Sequence, residues 1–224
     1  MTSDLLELAV VIPTFNEKAN VPTLVAKLDR ALRGVNWEAI FVDDDSPDGT
    51  AAQAREIARI DPRVRVIQRI GRRGLSSACI EGMCATAAPV VAVIDGDLQH
   101  DETLLPAMLD LLRGDDLDVV VGSRFVAGGG TGDWDRDRVA KSALATRLSR
   151  RVLKVELSDP MSGFFAIRTQ VVRDLTPHLS AIGFKILLDL LTASPRPLRF
   201  VELPYTFRTR TEGESKLDHV VALE

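Results

Sequence analysis

Most of the residues in this 224-residue chain with the means to do chemistry are carboxylates, in three short clusters that each follow an apolar run. Leu8 to Ile12 leads into Pro13-Thr14-Phe15-Asn16-Glu17, and Ala39 to Val42 into Asp43-Asp44-Asp45-Ser46-Pro47-Asp48-Gly49-Thr50. Val90 to Ile94 leads into Asp95-Gly96-Asp97-Leu98-Gln99-His100. An Asp-rich turn after a strand often builds only an Asx turn or a helix N-cap, and Asp43 to Asp48 taken alone, like Asp101, admits that reading. Asp95-x-Asp97 resists it, because two carboxylates two apart on an irregular strand end can face one cavity together. His100, a lone histidine beside a helix start, reads as a surface hydrogen-bonder in preference to a ligand. Carboxylates gathered on one edge repel one another unless a cation or a hydrogen-bonding ligand sits among them. Hard oxygen donors imply Mg²⁺ or Mn²⁺, not zinc.

The clusters must be brought together by the elements between them. Apolar runs of strand length, those above together with Val64 to Ile67 and Val119 to Val121, alternate with segments of helical period. That alternation predicts a parallel α/β sheet. Helices open by capping chemistry at Asn20 with Pro22, at Asp48-Gly49-Thr50, at Gly74 to Ser77 and at Asp101-Glu102. Ligands of such sheets lie beyond the carboxyl ends of the strands, where the clusters stand. Ala127 to Asp137, with its run of glycines, has no period and is expected to be a mobile loop. After it come an expected helix from Arg138 to Val155, a strand around Phe164 to Ile167, a helix from Phe184 to Ala193 and a strand from Leu198 to Phe207.

Composition narrows the class. The chain is 46% apolar, enough to bury the core of one large domain. One Tyr, two Trp and eight Phe, with no basic arm interleaved among them, argue against nucleic acid. Cys79 and Cys84 read as small core residues of a reducing compartment. Neither a signal peptide nor an apolar span of membrane length is visible, which predicts a soluble, cytoplasmic chain. No Gly-x-Gly-x-x-Gly follows the first strand and no Gly-x-x-x-x-Gly-Lys-Ser/Thr occurs, so the usual phosphate cradles are missing. A nucleotide would instead be gripped by carboxylates at its uracil or guanine and ribose, with the metal bridging its diphosphate to Asp97. This is the logic of a nucleotide-sugar site.

An ordered set of motifs over nearly the whole chain resembles the family 2 glycosyltransferases of GT-A fold, and within them the polyprenyl (dolichol) phosphate mannose synthases. The set is Val11 to Glu17, Val42 to Thr50, Gly74 to Ala78, Asp95 to His100, Gly122-Ser123-Arg124-Phe125, Asp159 to Phe165, Gly183 to Leu187 and Gly213-Glu214-Ser215-Lys216-Leu217. The resemblance implies a mostly parallel sheet with helices on both faces, a single catalytic domain over 1–217 and a tail at 218–224. It implies that Pro13, Phe15, Glu17, Val42 and Asp44 line the base and ribose pocket. Asp95, Gly96, Asp97 and Gln99 would hold metal and diphosphate, with Asp95, Asp97 and Gln99 as ligands. Arg124, Arg138, Lys185, Arg210 and Lys216 would meet phosphates of donor or acceptor, and Asp97, Arg124 and Arg138 would carry the catalysis. The implied partners are GDP-mannose and a polyprenyl phosphate on the cytoplasmic face of a membrane, with relatives that continue into spans or use an anchoring subunit. Two departures stand out. Phe15 replaces the family's usual Tyr, and Gly96 its usual Ala, which suggests a looser metal loop.

An acceptor phosphate is ionised at neutral pH, so it needs no general base, and positioning with electrostatics suffices. Back-side attack would invert the anomeric centre, and no glycosidase-like pair of acid and base carboxylates is assigned. From Arg138 to Lys154 six basic residues and no acidic one accompany apolar residues at helical spacing, a basic amphipathic helix suited either to an anionic membrane surface or to packing on the sheet. Together with the loop before it, this helix makes 128–155 the expected acceptor segment. The alternatives are a transferase using UDP-glucose, a nucleotidyltransferase and a receiver-like signalling domain. The second would show a basic Gly-rich loop after its first strand, and the third would be near half this length.

Overall fold

The computed structural model describes residues 5–114, 116–132 and 157–209. The expected helix from Arg138, the tail, and the site candidates Arg138, Arg210 and Lys216 lie outside these residues. The described chain runs β1 (Leu8–Thr14), α1 (Asn20–Ala31), β2 (Trp37–Asp43), α2 (Thr50–Ala58), β3 (Val64–Gln68), α3 (Leu75–Cys84), β4 (Val90–Val93), a 3₁₀ turn (Glu102–Leu104) and α4 (Leu105–Arg113). It continues through β5 (Val119–Ser123), β6 (Phe165–Arg168), α5 (Thr169–Leu175), α6 (Ile186–Ala193) and β7 (Phe200–Pro204).

These strands form one sheet of order β3-β2-β1-β4-β6-β5-β7. Pairings among β3, β2, β1 and β4 are parallel, as is β5 with β7. β6 runs antiparallel to both neighbours, so the sheet is mixed where the apolar pattern alone suggested a parallel one. Hydrophobic spacing identifies a strand but says nothing of its direction, which is settled by where the connections can return.

Both faces are covered, and successive residues of β1 divide between them as a pleated strand requires. Leu8, Val10 and Ile12 pack with Leu24 and Leu28 of α1 and Met108 and Leu112 of α4. Ala9 and Val11 pack with Cys79 and Met83 of α3, Val172 of α5 and Leu187 and Leu190 of α6. α3 lies unusually close to the sheet, because a Cβ at Gly82 would stand 2.4 Å from Val11 Cγ1 and 2.9 Å from Val42 Cγ2. Cys79 is a core residue as expected, but Cys84 is exposed, at the solvent end of the helix. The last strand stops at Pro204, short of the expected Phe207. Beyond it, Tyr205 to Arg208 forms a strap. Over its described part the loop expected to be mobile is tied to this strap: Gly130 N donates to Tyr205 O and Phe207 N donates to Gly130 O.

Candidate nucleotide-sugar site

The order β2-β1-β4 sets the three acidic strand ends side by side at the carboxyl edge of the sheet. Each end turns on a non-glycine residue in left-handed conformation: Asn16 at φ 56°, Asp45 at φ 56° and Leu98 at φ 65°. Asn and Asp tolerate that region, whereas a bulky Leu there is strained. Strain of this kind persists only where surrounding contacts over-determine it.

The first two ends are laced together. Thr14 Oγ1 donates to Asp43 Oδ1 (3.2 Å), Asn16 N to Ser46 Oγ (3.0 Å), Glu17 N to Thr50 Oγ1 (2.9 Å) and Lys18 N to Asp48 Oδ2 (3.1 Å). Asp43 also accepts from Ser46 N and Asp48 from Thr50 N, so these two carboxylates build turns. Glu17 is buried and accepts from Asn20 Nδ2 at 2.6 Å. Asp44 accepts from Arg69 Nη1 (2.8 Å) and from Gly74 N at the start of α3 (2.7 Å). Burial raises its pKa above the ordinary value, against the lowering effects of the Gly74 amide and Arg69. Phe15 lies under the Arg73 guanidinium, 4.3 Å from its ring centre, while Pro13 and Val42 are paired in register just below the turns.

The third end carries the metal candidates. The Asp95 side chain is 35% exposed. Asp97 is buried, and its Oδ1 accepts from Gln99 N at 3.1 Å, an Asx turn. Gln99 Nε2 donates to Arg208 O at 2.9 Å. Gly96 rests against the first loop: a Cβ there would lie 3.1 Å from Thr14 Cγ2 and 3.4 Å from Glu17 Cγ. The missing methyl thus permits close approach, where the sequence suggested a looser loop.

His100 is a correction of a different kind, being buried and not at the surface. Its Nδ1 accepts from Asp95 N (3.1 Å) and its ring stacks on Phe164 at 5.3 Å, with Tyr205 and Phe207 edge-on. Burial pushes its pKa down to about 4, so at neutral pH the ring is uncharged. An accepting Nδ1 places the single proton on Nε2, which faces Asp95 Oδ2 at 3.6 Å. His100 therefore orients Asp95 from beneath and forms no ion pair with it.

Arg124 follows β5 and is held by the fully buried Asp159, to which Nε and Nη2 donate at 2.7 and 2.8 Å. Its fork is committed to this carboxylate, with Phe125 and Phe207 near its face. Lys185 stands at the N-cap position of α6 without a side-chain cap, and the bond from Ser76 N to Gly183 O (3.1 Å) brings its loop beside the start of α3. The structure thus assembles Pro13, Phe15, Glu17, Val42, Asp44, Asp95, Gly96, Asp97, Gln99, Arg124 and Lys185 along one edge. Sequence reasoning gave no role to Arg69, Arg73, Asp159 or Arg208. The first two follow β3 and were findable by the strand-end rule. Asp159 opens one of the family-like motifs but had no partner visible in sequence, and Arg208, too, has partners distant in the chain.

The sequence profile of glycosyl transferase family 2 matches residues 9–176. The chain belongs to that family. This family 2 chain is 40% identical over 215 residues to the dolichol-phosphate mannosyltransferase of Pyrococcus furiosus, covering 95% of this chain and 59% of that protein. It thus spans little more than half the length of that relative. It is 35% identical to the dolichol-phosphate mannosyltransferase of Saccharomyces cerevisiae, covering 98% of this chain and 84% of that one. Polyprenol monophosphomannose synthase of Mycolicibacterium smegmatis is also 35% identical, with 93% and 80% covered. Among solved structures, glucosyl-3-phosphoglycerate synthase from Mycobacterium tuberculosis in complex with Mn²⁺, UDP-glucose and phosphoglyceric acid aligns with a TM-score of 0.67 at 22% identity, covering 97% of this chain and 76% of that one. That likeness establishes the GT-A fold of this glycosyltransferase.

Proposed function

We propose that this chain transfers mannose from GDP-mannose to a polyprenyl (dolichyl) phosphate, with inversion and with Mg²⁺ or Mn²⁺ at Asp95, Asp97 and Gln99. The observation that carries the reading is the Asp95–His100 loop, an oxygen-donor loop set beside the Pro13–Glu17 turn in a chain similar to dolichol-phosphate mannosyltransferases. No group of three or more His, Cys, Asp or Glu converges among the described residues. Two carboxylates and a carboxamide fit a hard cation that shares its shell with substrate phosphates, since Mg²⁺ sites commonly use one or two protein carboxylates. When bound, the cation would neutralise the charge developing on the departing nucleoside diphosphate. Gln99 donates its nitrogen to Arg208 O, so its carbonyl oxygen is the atom for ligation.

Glu17, Asp44 and Phe15 would receive the base and ribose. Arg124, paired bidentately with the buried Asp159, would act through rigidity, holding the end of β5 in place with its charge balanced by that carboxylate. Lys185, with Arg138, Arg210 and Lys216 outside the described residues, would supply phosphate contacts. His100, buried with Nδ1 engaged, is unsuited to act as a general base, which accords with an acceptor phosphate that needs none. No described helix is long and apolar enough to cross a membrane, and the basic 138–155 segment is the proposed contact with the cytoplasmic membrane surface.

The test is calorimetric titration with GDP and UDP, each with Mn²⁺ or EDTA, followed by transfer from GDP-mannose and UDP-glucose to a short polyprenyl phosphate. GDP should bind at least about tenfold tighter, a difference of about 1.4 kcal/mol, and only the mannosyl donor should turn over efficiently. UDP tighter by that margin would replace the reading with the glucosyl one.

A further inference from the structure

We propose that Arg208 is a positioning residue for the metal loop, and that the strap Tyr205 to Arg208 transmits the state of that loop to the Gly128–Gly132 segment. The inference rests on the reading of Asp95 and Asp97 as the metal site.

Leu98 holds a strained left-handed conformation at the centre of the loop. From within, two bonds of 3.1 Å support it: Gln99 N to Asp97 Oδ1 and Asp95 N to His100 Nδ1. From outside, Arg208 grips four successive residues. Its N donates to Gln99 O (2.9 Å), its O accepts from Gln99 Nε2 (2.9 Å), and its guanidinium donates to His100 O (3.2 Å), Asp101 Oδ1 (2.6 Å) and Glu102. Because a backbone carbonyl can only accept, the Gln99 nitrogen must face Arg208, which turns the carboxamide oxygen the other way. One arginine thus supports the strained turn, sets the orientation of a candidate ligand and places positive charge beside Asp101 and Glu102.

The same strap is fixed on its other side. Gly130 forms a parallel bridge with Thr206. Gly132, at φ 60°, lies so close that a Cβ would stand 2.2 Å from Phe207 O. A shift of the metal loop must move the strap, and the strap cannot move without the glycine segment.

The test uses the full chain with Arg208→Ala and Arg208→Lys, and Lys27→Ala as control, because Lys27 holds Glu102 from the opposite side without touching the loop backbone. Free Mn²⁺ is read by electron paramagnetic resonance during titration with GDP, or with UDP if that is the tighter ligand. Arg208→Ala should raise the apparent Kd for Mn²⁺ about tenfold. Arg208→Lys, which keeps the charge but not the fork, should raise it about threefold. Lys27→Ala should stay within about twofold, and nucleotide binding in EDTA should not change in any variant. Hydrogen exchange at Gly130 and Phe207 should slow on addition of Mn²⁺ and nucleotide in the unsubstituted chain and lose that response in Arg208→Ala. Mn²⁺ affinity within twofold in a folded Arg208→Ala would overturn the proposal, and if that variant does not fold, Arg208→Lys decides by the same criterion. Absence of Mn²⁺ uptake by the unsubstituted chain would overturn this inference and the metal reading together. Normal uptake that is indifferent to Arg208 would overturn this inference alone.

Discussion

Asp97 and Asp159 are both buried carboxylates near the carboxyl edge, yet they do different work. Asp159 neutralises Arg124 in a bidentate pair. Asp159→Ala would leave a buried guanidinium without its counter-ion, and urea unfolding should show a loss of about 3–5 kcal/mol. Asp97 bonds to Gln99 N through Oδ1, a contact that the amide oxygen of Asn can keep. Asp97→Asn should therefore preserve the unfolding midpoint while transfer falls by about 100-fold or more, with GDP binding weakened only when Mn²⁺ is present. Equal weakening in EDTA would remove Asp97 from the metal. The Asp95-x-Asp97 pair was legible in the sequence because it directly follows a buried apolar strand. Asp43 and Asp48 were legible as turn builders for a similarly local reason, since their partners include Ser46 and Thr50. Arg69 with Asp44, and Arg124 with Asp159, were not: these partners are 25 and 35 residues apart, beyond any local pattern.

Among the elements, α3 shows how closely the site is braced from behind. Gly82 sits where any side chain would meet the branched carbons of Val11 and Val42, strands whose ends carry Glu17 and Asp44. Ala at that position gains about 1 kcal/mol of helix propensity, but overpacking against two β-branched side chains costs about 1–3 kcal/mol. The second effect should win. Gly82→Ala is expected to lower the unfolding midpoint and weaken GDP binding by a few-fold, whereas Gly114→Ala, with nothing within 4 Å of its Cβ, should do neither. The expected starts of α1 and α2 are close to the observed ones, but not by side-chain capping: the N-cap positions are Ala19 and Gly49, neither with a side-chain bond, and Asn20 donates to Glu17 instead.

Over the whole molecule, the edge of the sheet opposite the candidate site carries an ion-pair cluster of its own. Asp118, just before β5, accepts from Arg196 and Arg199, which lead into β7, and so staples the starts of two neighbouring strands. Hydrogen bonding from Arg196 holds its carboxyl well below the usual carboxylate range, opposed by burial and helped by Arg199. With the folded pKa depressed, this stabilisation is present above the unfolded value of about 3.9 and is lost as pH falls through the folded value. Asp118→Asn should lower the urea midpoint at pH 7, flatten the fall in stability below about pH 4, and leave GDP affinity unchanged, as calorimetry would check. The alternation of strand and helix and the acidic strand ends were determined by the sequence itself, because each depends on residues within a few positions of one another. The reversal of β6, the burial of His100 against Asp95, the commitment of Arg124 to Asp159 and the grip of Arg208 on the Asp95–His100 loop were decided only by the tertiary structure. Each is a contact between segments far apart in the chain, and packing alone chooses which of the many available polar and aromatic groups meet.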